Sequence, residues 1–193
     1  MRYVSDDRET IEFYKAVSIS CNLPIMTYNN PLDYKIEITI PMFEELLKID
    51  TIEATKESTI DVTNVTIMRN AFGNDIKILC GVDTLALEEL VLGADGWVGG
   101  LVDAFPRETM VIYELVKQNR IAEATKIYRW FMPLLELDIH PKLVQNIKLA
   151  EVATGIGTEH VRPPRLPLIG EERAYAQGIL NNAIAKRPKM PNI

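Results

Sequence analysis

Apolar positions along this chain switch repeatedly between two spacings. In Leu23–Tyr28, Thr51–Lys56, Ile76–Cys80 and Gly96–Val102 they crowd together or alternate, which predicts four strands. Between these runs apolar residues recur three or four apart, the period of a helix. Ser5 is placed to cap a first helix with Asp6 and Asp7 in its acidic first turn and Ile11, Tyr14 and Ile19 near one face. Thr39 followed by Pro41 predicts the N-cap and first turn of a helix to about Ile49. A further helix is expected over Asp61–Ala71, ended by Gly73-Asn74. Asp83 is expected to cap one running to Leu92 and closed by Gly93, and Phe105-Pro106 opens another to about Gln118.

Four strands, each followed by a helix, recur roughly every 20 to 28 residues. Such alternation predicts a parallel sheet joined by right-handed crossovers. The rhythm changes at Asn119. Strand signals stop, and Ala124, Ile127, Phe131, Leu134 and Leu135 fall at helical spacing. Two more helices are expected, Pro141–Ala153 and Glu171–Lys186, separated by the stiff stretch RPPRLPL (Arg162–Leu168). The division expected is therefore residues 1–118 as an α/β body and 119–193 as a helical appendage. Four βα units make either a small open sheet or half of a (β/α)8 barrel, which takes about 250 residues. A chain that starts at Met1 with a helix and no strand before it looks cut into, and the second reading is the expectation.

Composition narrows the classes. Hydrophobic residues make up 47% and charged residues 25%, which fits a soluble globular protein. The net charge of −6 and the absence of a long Lys/Arg cluster argue against a nucleic-acid binder. The N-terminal MRYVSDDRET has no apolar core of a signal peptide. The longest uncharged run, Ala16–Leu32, holds two prolines and three asparagines and suits no membrane span. Cys21 and Cys80 lie in apolar contexts without metal or redox spacing, so buried thiols in a reducing cytoplasm are expected.

Parallel α/β folds carry their chemistry at the carboxyl ends of strands. Tyr28 ends the first strand, Lys56 the second, Gly81 follows the third, and Val98 lies in the fourth as predicted. The two-residue period puts Ile52, Ala54 and Lys56 on one face and Glu53, Thr55 and Glu57 on the other. Desolvation on an apolar face disfavours an ammonium and favours the neutral amine, which can attack a carbonyl and form a Schiff base. The plainer alternative is a lysine whose stem packs while its head reaches water. Tyr28 is either a proton relay for that chemistry or a buried ring with a bonded hydroxyl at the rim. Gly93, Gly96, Gly99 and Gly100 match no phosphate-binding motif and read as close-packing positions. Neither His140 nor His160 has a partner at ligand spacing, so no metal and no other cofactor is expected. Trp130 and Phe131 read as packing residues.

The segments YNNP (Tyr28–Pro31), ATKES (Ala54–Ser58) and CGVDTLALEELVLGADGWVGG (Cys80–Gly100), with the helical tail, resemble the dihydrodipicolinate synthase / N-acetylneuraminate lyase family. The separations between Tyr28, Lys56 and Gly81 fit as well, and the resemblance runs over essentially the whole chain. It implies an eight-stranded barrel with a C-terminal helical domain, homo-oligomeric, acting on 2-oxo acids through a lysine Schiff base. By the same resemblance Lys56 forms the imine, Tyr28 relays protons, and Val98 marks a backbone contact to the substrate carboxylate. This chain would then carry strands five to eight. The first four strands, roughly 100 residues with a Gly-Thr-Thr-Gly loop, would be missing, and Met1–Tyr3 would fall where the family contributes a tyrosine across a subunit interface. Asp33 stands where the synthase has an arginine that grips a carboxylate, and Tyr34-Lys35 replaces the usual Thr-Gly. An acidic group does not welcome an anion. The substrate expected is a 2-oxo acid or a cyclic imino acid other than that of the synthase proper; Trp97–Asp103 and the RPPRLPL segment resemble the pyrroline-4-hydroxy-2-carboxylate deaminase branch, which implies a hydroxylated or cyclic imino acid. The alternative expectation is a non-catalytic half-barrel that pairs with itself or with another half to cover its open edges.

Overall fold

The computed structural model describes residues 5–193. Helix α1 (Asp7–Ser20) leads into strand β1 (Ile25–Asn29), followed by α2 (Pro31–Tyr34) and α3 (Ile40–Leu46). Strand β2 (Ile52–Glu57) precedes α4 (Thr63–Phe72), and β3 (Lys77–Cys80) precedes α5 (Ala86–Val91). Strand β4 (Gly96–Trp97) is followed by α6 (Pro106–Lys117), α7 (Ile121–Leu135), α8 (Leu143–Thr154) and α9 (Gly170–Ala185). The four strands form one parallel sheet in the order β1-β2-β3-β4. The α/β class and the sheet thus follow the predicted alternation.

The contacts divide the chain into two compact units. One runs through Gly81 and takes in Glu88–Trp97; the other is Val82–Leu87 with Val98–Ile193. The change of rhythm at Asn119 falls inside the second unit, between α6 and α7. There Ala124, Ile127, Phe131, Leu134 and Leu135 are all buried, as their spacing predicts. Trp130 stacks on Phe131 and donates its indole N–H to the Ala183 carbonyl of α9 at 2.9 Å. The Tyr128 hydroxyl donates to the Asp83 carbonyl at 2.8 Å and accepts the Ala86 N–H at 3.1 Å.

Several local expectations need correction. Asp6, not Ser5, caps α1: its carboxylate accepts the Glu9 N–H, and Glu9 returns the bond to the Asp6 N–H. With Asp6 as the cap the third helical position is Glu9, whose carboxylate accepts in return, whereas Ser5 as the cap would put Arg8 there, which has no acceptor to offer. Asp83 lies within a short 3₁₀ turn (Asp83–Leu85), and its buried carboxylate accepts the Leu101 N–H at 2.9 Å. That bond takes a donor which a fourth strand reaching Val102 would have needed for its ladder. Gly99 and Gly100 also weaken strand propensity. Strand β4 therefore stops at Trp97, Leu101–Asp103 forms a 3₁₀ turn, and Val98 lies outside the sheet, in the second unit. Cys80 is buried as expected, but Cys21, at the exposed end of α1, is only half-buried. Tyr3 lies outside the described residues.

The sheet's most deeply buried face is its polar one. Thr27, Asn29, Thr55 and Glu57 are buried, whereas Met26 and Tyr28 are exposed and Ala54 and Lys56 half-buried. Asn29, Glu57 and Cys80 stand side by side in register. Each is tied to the chain that follows its own strand. Asn29 exchanges two hydrogen bonds with the Ile38 backbone ahead of α3, at 3.3 and 2.9 Å. Glu57 accepts the Thr59 N–H ahead of α4 at 2.8 Å, and Cys80 bonds Glu89 of α5. Polar anchors at strand ends therefore fix where each helix lies. Burial is a strain on the carboxyls in this row, since their charged forms lose water. It raises the pKa of Glu57, against hydrogen bonds from Thr59, Asn29 and Asn64 that work to lower it. It raises Glu89 from 4.5 to about 7, with a smaller push from the charges of Glu57 and Glu88.

A raised acid in the folded state binds its proton more tightly than the unfolded chain does. Glu89 contributes stability below pH 4.5 that is lost as pH rises through about 7. The loss is at most about 3 kcal/mol. Urea unfolding of the wild type should show a falling midpoint between pH 5 and pH 8. Glu89→Gln, which cannot ionise, should flatten most of that slope.

Candidate active site

The site grows out of the strand register. Tyr28 of β1 pairs with Lys56 of β2, which pairs with Leu79 of β3. Because side chains alternate, Lys56 and Tyr28 share the open face of the sheet while their neighbours Glu57 and Asn29 face the helices. The Lys56 Nζ lies 4.5 Å from the centre of the Tyr28 ring, over its face.

Gly81 makes room for this amine. A Cβ at Gly81 would fall 2.0 Å from the Ser58 hydroxyl, 2.8 Å from the Glu57 carbonyl oxygen and 2.8 Å from Lys56 Cε. The Gly81 N–H donates to that same carbonyl at 2.7 Å, and the Ser58 N–H donates to the Asn29 carbonyl at 2.8 Å. The sheet's hydrogen bonding thus extends past the strand ends and holds the loops around the lysine. A glycine at 81 is required by close approach, not by a phosphate.

The chain after Tyr28 is fixed by Asn30. Its side-chain oxygen caps α2 by accepting the Asp33 N–H at 3.1 Å. Its amide nitrogen donates to the Tyr28 hydroxyl at 2.9 Å and to the Asp33 carboxylate at 2.8 Å. Lys35 closes the turn in the left-handed region, at φ 61°. Tyr34 meets the Tyr28 ring edge to face, with centroids 5.6 Å apart. A cavity of about 300 Å³ opens beside Tyr28, with Phe13 and Tyr14 of α1 and Tyr34 in its wall. Burial pushes the Tyr14 phenol above its ordinary pKa, and a hydrogen bond with the Tyr28 backbone works against that.

Of the residues singled out in the sequence, Tyr28, Lys56 and Gly81 come together in the first unit. Val98 does not belong to that unit. Two neighbours lie inside the YNNP and ATKES motifs without a role assigned from the sequence. One is Asn30. The other is Ser58, two residues after the lysine, whose buried hydroxyl has no hydrogen-bond partner among the described residues. Ile60 completes the loop with φ at 60°, a rare conformation for a β-branched residue and one that collects at functional sites. Among the described residues no cluster of three or more His, Cys, Asp or Glu could hold a metal ion, and no helix is long and apolar enough to cross a membrane.

Comparison with known proteins bears on this arrangement. The chain is 29% identical over 167 residues to 4-hydroxy-tetrahydrodipicolinate synthase of Exiguobacterium sibiricum, matching 85% of this chain and 55% of that protein. It thus spans little more than half the length of this relative. Its structure superposes with TM-score 0.83 on the 4-hydroxy-tetrahydrodipicolinate synthase of Methylacidiphilum fumariolicum SolV, at 26% identity, covering 95% of this chain and 62% of the other. A catalytic-lysine mutant of a sialic acid aldolase of Ruminococcus gnavus shares the fold with TM-score 0.84 at 22% identity over 96% of this chain and 63% of its own. The sequence pattern of the Dihydrodipicolinate synthetase family matches residues 3–183. With an α/β parallel sheet and the fold of these lyases, the chain belongs to the dihydrodipicolinate synthetase family.

Proposed function

We propose that this chain carries the Schiff-base half of a lyase that acts on a 2-oxo acid or a cyclic imino acid. The observation that carries the proposal is the Lys56 amine held over the Tyr28 ring on the open face of the sheet, in space that Gly81 leaves clear. In this reading the Lys56 lone pair attacks the carbonyl carbon, and the carbonyl oxygen takes up a proton to give a carbinolamine. A second proton delivered to that oxygen lets water leave as the C=N bond forms. Tyr28, whose ring lies against Lys56, is the group proposed to pass these protons. The protonated imine then draws electrons from the adjacent carbon, which is the basis of bond cleavage or elimination there.

The wider proposal follows the family. Strands β1–β4 would supply half of a (β/α)8 barrel, with 119–193 as its helical appendage. The working enzyme would be a homo-oligomer in the cytoplasm, with Val98 contributing a backbone contact to the substrate carboxylate. Asp33 supports a substrate other than the synthase's anionic aldehyde. Its carboxylate is linked through Asn30 to the Tyr28 hydroxyl, and a second carboxylate approaching there would be repelled. A neutral, hydroxylated partner or a cyclic imino acid of the pyrroline-4-hydroxy-2-carboxylate kind suits that charge better.

Two measurements test the proposal. Incubation with pyruvate and borohydride should leave a stable adduct on the peptide that carries Lys56, and none in Lys56→Arg; an unmodified wild-type peptide would reject the lysine chemistry. In Gly81→Ala the added methyl group meets backbone and the lysine stem. Trapping should slow by about tenfold, with about 1–3 kcal/mol lost in urea unfolding. An unchanged rate would show that the close approach has no bearing on the amine.

A further inference from the structure

The hydrogen bonds of Asn30 have a direction, and that direction determines what Tyr28 can do. A backbone N–H only donates, so the bond from Asp33 N–H fixes the side-chain oxygen of Asn30 on that side. The amide nitrogen must then face the Tyr28 hydroxyl and the Asp33 carboxylate, and it spends one N–H on each. An ionised carboxylate accepts only, so Asp33 reinforces the same orientation from its second contact. Asn30 is only 5% exposed, so water does not compete freely for these bonds. The Tyr28 oxygen therefore accepts from Asn30, and its own proton is not taken up by that neighbour. The edge-to-face contact with Tyr34 limits rotation of the ring, so the phenol stays where Lys56 meets its face.

We infer that Asn30 is a positioning residue for Tyr28, with Asp33 as the group that locks Asn30's amide. Asn30 donates to the phenol oxygen, so the phenol O–H is left to donate to the oxygen of the carbinolamine on Lys56. This role rests on the lysine chemistry proposed above. Had the amide been turned over, or replaced by an acceptor, Tyr28 would give its proton to residue 30 and not to the substrate. The unit Asp33–Asn30–Tyr28 is continuous over two hydrogen bonds of 2.8 and 2.9 Å. It is built by α2, a four-residue helix whose cap and whose catalytic support are the same side chain.

The test exchanges amide and carboxylate across the pair, in the double variant Asn30→Asp, Asp33→Asn. An oxygen remains at position 30 to cap α2, and no two carboxylates meet. Only the polarity of the bond to Tyr28 is inverted. Two readouts are taken on the full chain. The first is the tyrosine doublet in ultraviolet resonance Raman spectra, isolated by subtracting Tyr28→Phe, whose intensity ratio reports whether a phenol oxygen accepts or donates. The second is the rate at which borohydride traps pyruvate on Lys56. The expected result is an acceptor signature in the wild type, a donor signature in the exchanged variant, and trapping slowed by about 100-fold at an unchanged urea midpoint. Adding Tyr28→Phe to the exchanged variant should slow it no further, because both changes remove one function. A donor signature in the wild type overturns the inference. So does an unchanged trapping rate in a variant whose signature has inverted. An acceptor signature in a wild type that traps no pyruvate rejects the lysine chemistry, and the positioning role with it, while leaving the hydrogen bond intact.

Discussion

The parallel register of β1, β2 and β3 is the constraint on which the rest of the structure depends. It sets Tyr28 beside Lys56 on one face and Asn29, Glu57 and Cys80 in a row on the other. Alternation of side chains separates an amine from the carboxylate next to it in sequence: Lys56 points to the open face and Glu57 into the helices. A slip of one residue in β2 would exchange them, burying the amine and exposing the acid. The row on the helix side makes such a slip unfavourable, because each of its members is bonded to the segment that follows its own strand. The buried polar groups thus hold the register, and the register holds the site.

Much of this was legible in the sequence. The alternation of strands and helices, the helical face of α7 and the meeting of Tyr28, Lys56 and Gly81 all follow from apolar spacing and the rule that chemistry sits at strand ends. What spacing cannot show is which polar group wins a shared donor. The Asp83 carboxylate takes the Leu101 N–H over 18 residues, and β4 stops at Trp97 with Val98 outside the sheet. Depth does not follow hydropathy either. On the apolar Ile52–Ala54–Lys56 face only Ile52 is buried, and Thr55 and Glu57 lie deeper than Ala54 or Lys56. Glu57 tolerates that depth because the Asn29 amide and the Thr59 N–H donate to its carboxylate, whereas the Thr55 hydroxyl is buried without a hydrogen-bond partner among the described residues.

The turn after Tyr28 shows how a local motif and a site become one object. Asn-Asn-Pro reads as turn chemistry, with proline in the first helical turn and asparagine as cap. In the fold the two asparagines face opposite ways. Asn29 anchors the approach to α3, and Asn30 serves the phenol. Asp33, an odd residue where the family resemblance leads one to expect an arginine, acquires a physical role as the acceptor that orients Asn30. Under the proposed function this one acidic side chain would bear both on which substrate is taken and on how Tyr28 is held.

The most direct measurement is a crystal structure of the chain soaked with pyruvate. This account predicts continuous density from the Lys56 nitrogen to the second carbon of the ligand, with Tyr28 beside the junction and Asn30 still bonded to its hydroxyl. Pyruvate bound elsewhere, or a lysine nitrogen clear of it after prolonged soaking, would contradict the claim that this face of the sheet is built for imine chemistry.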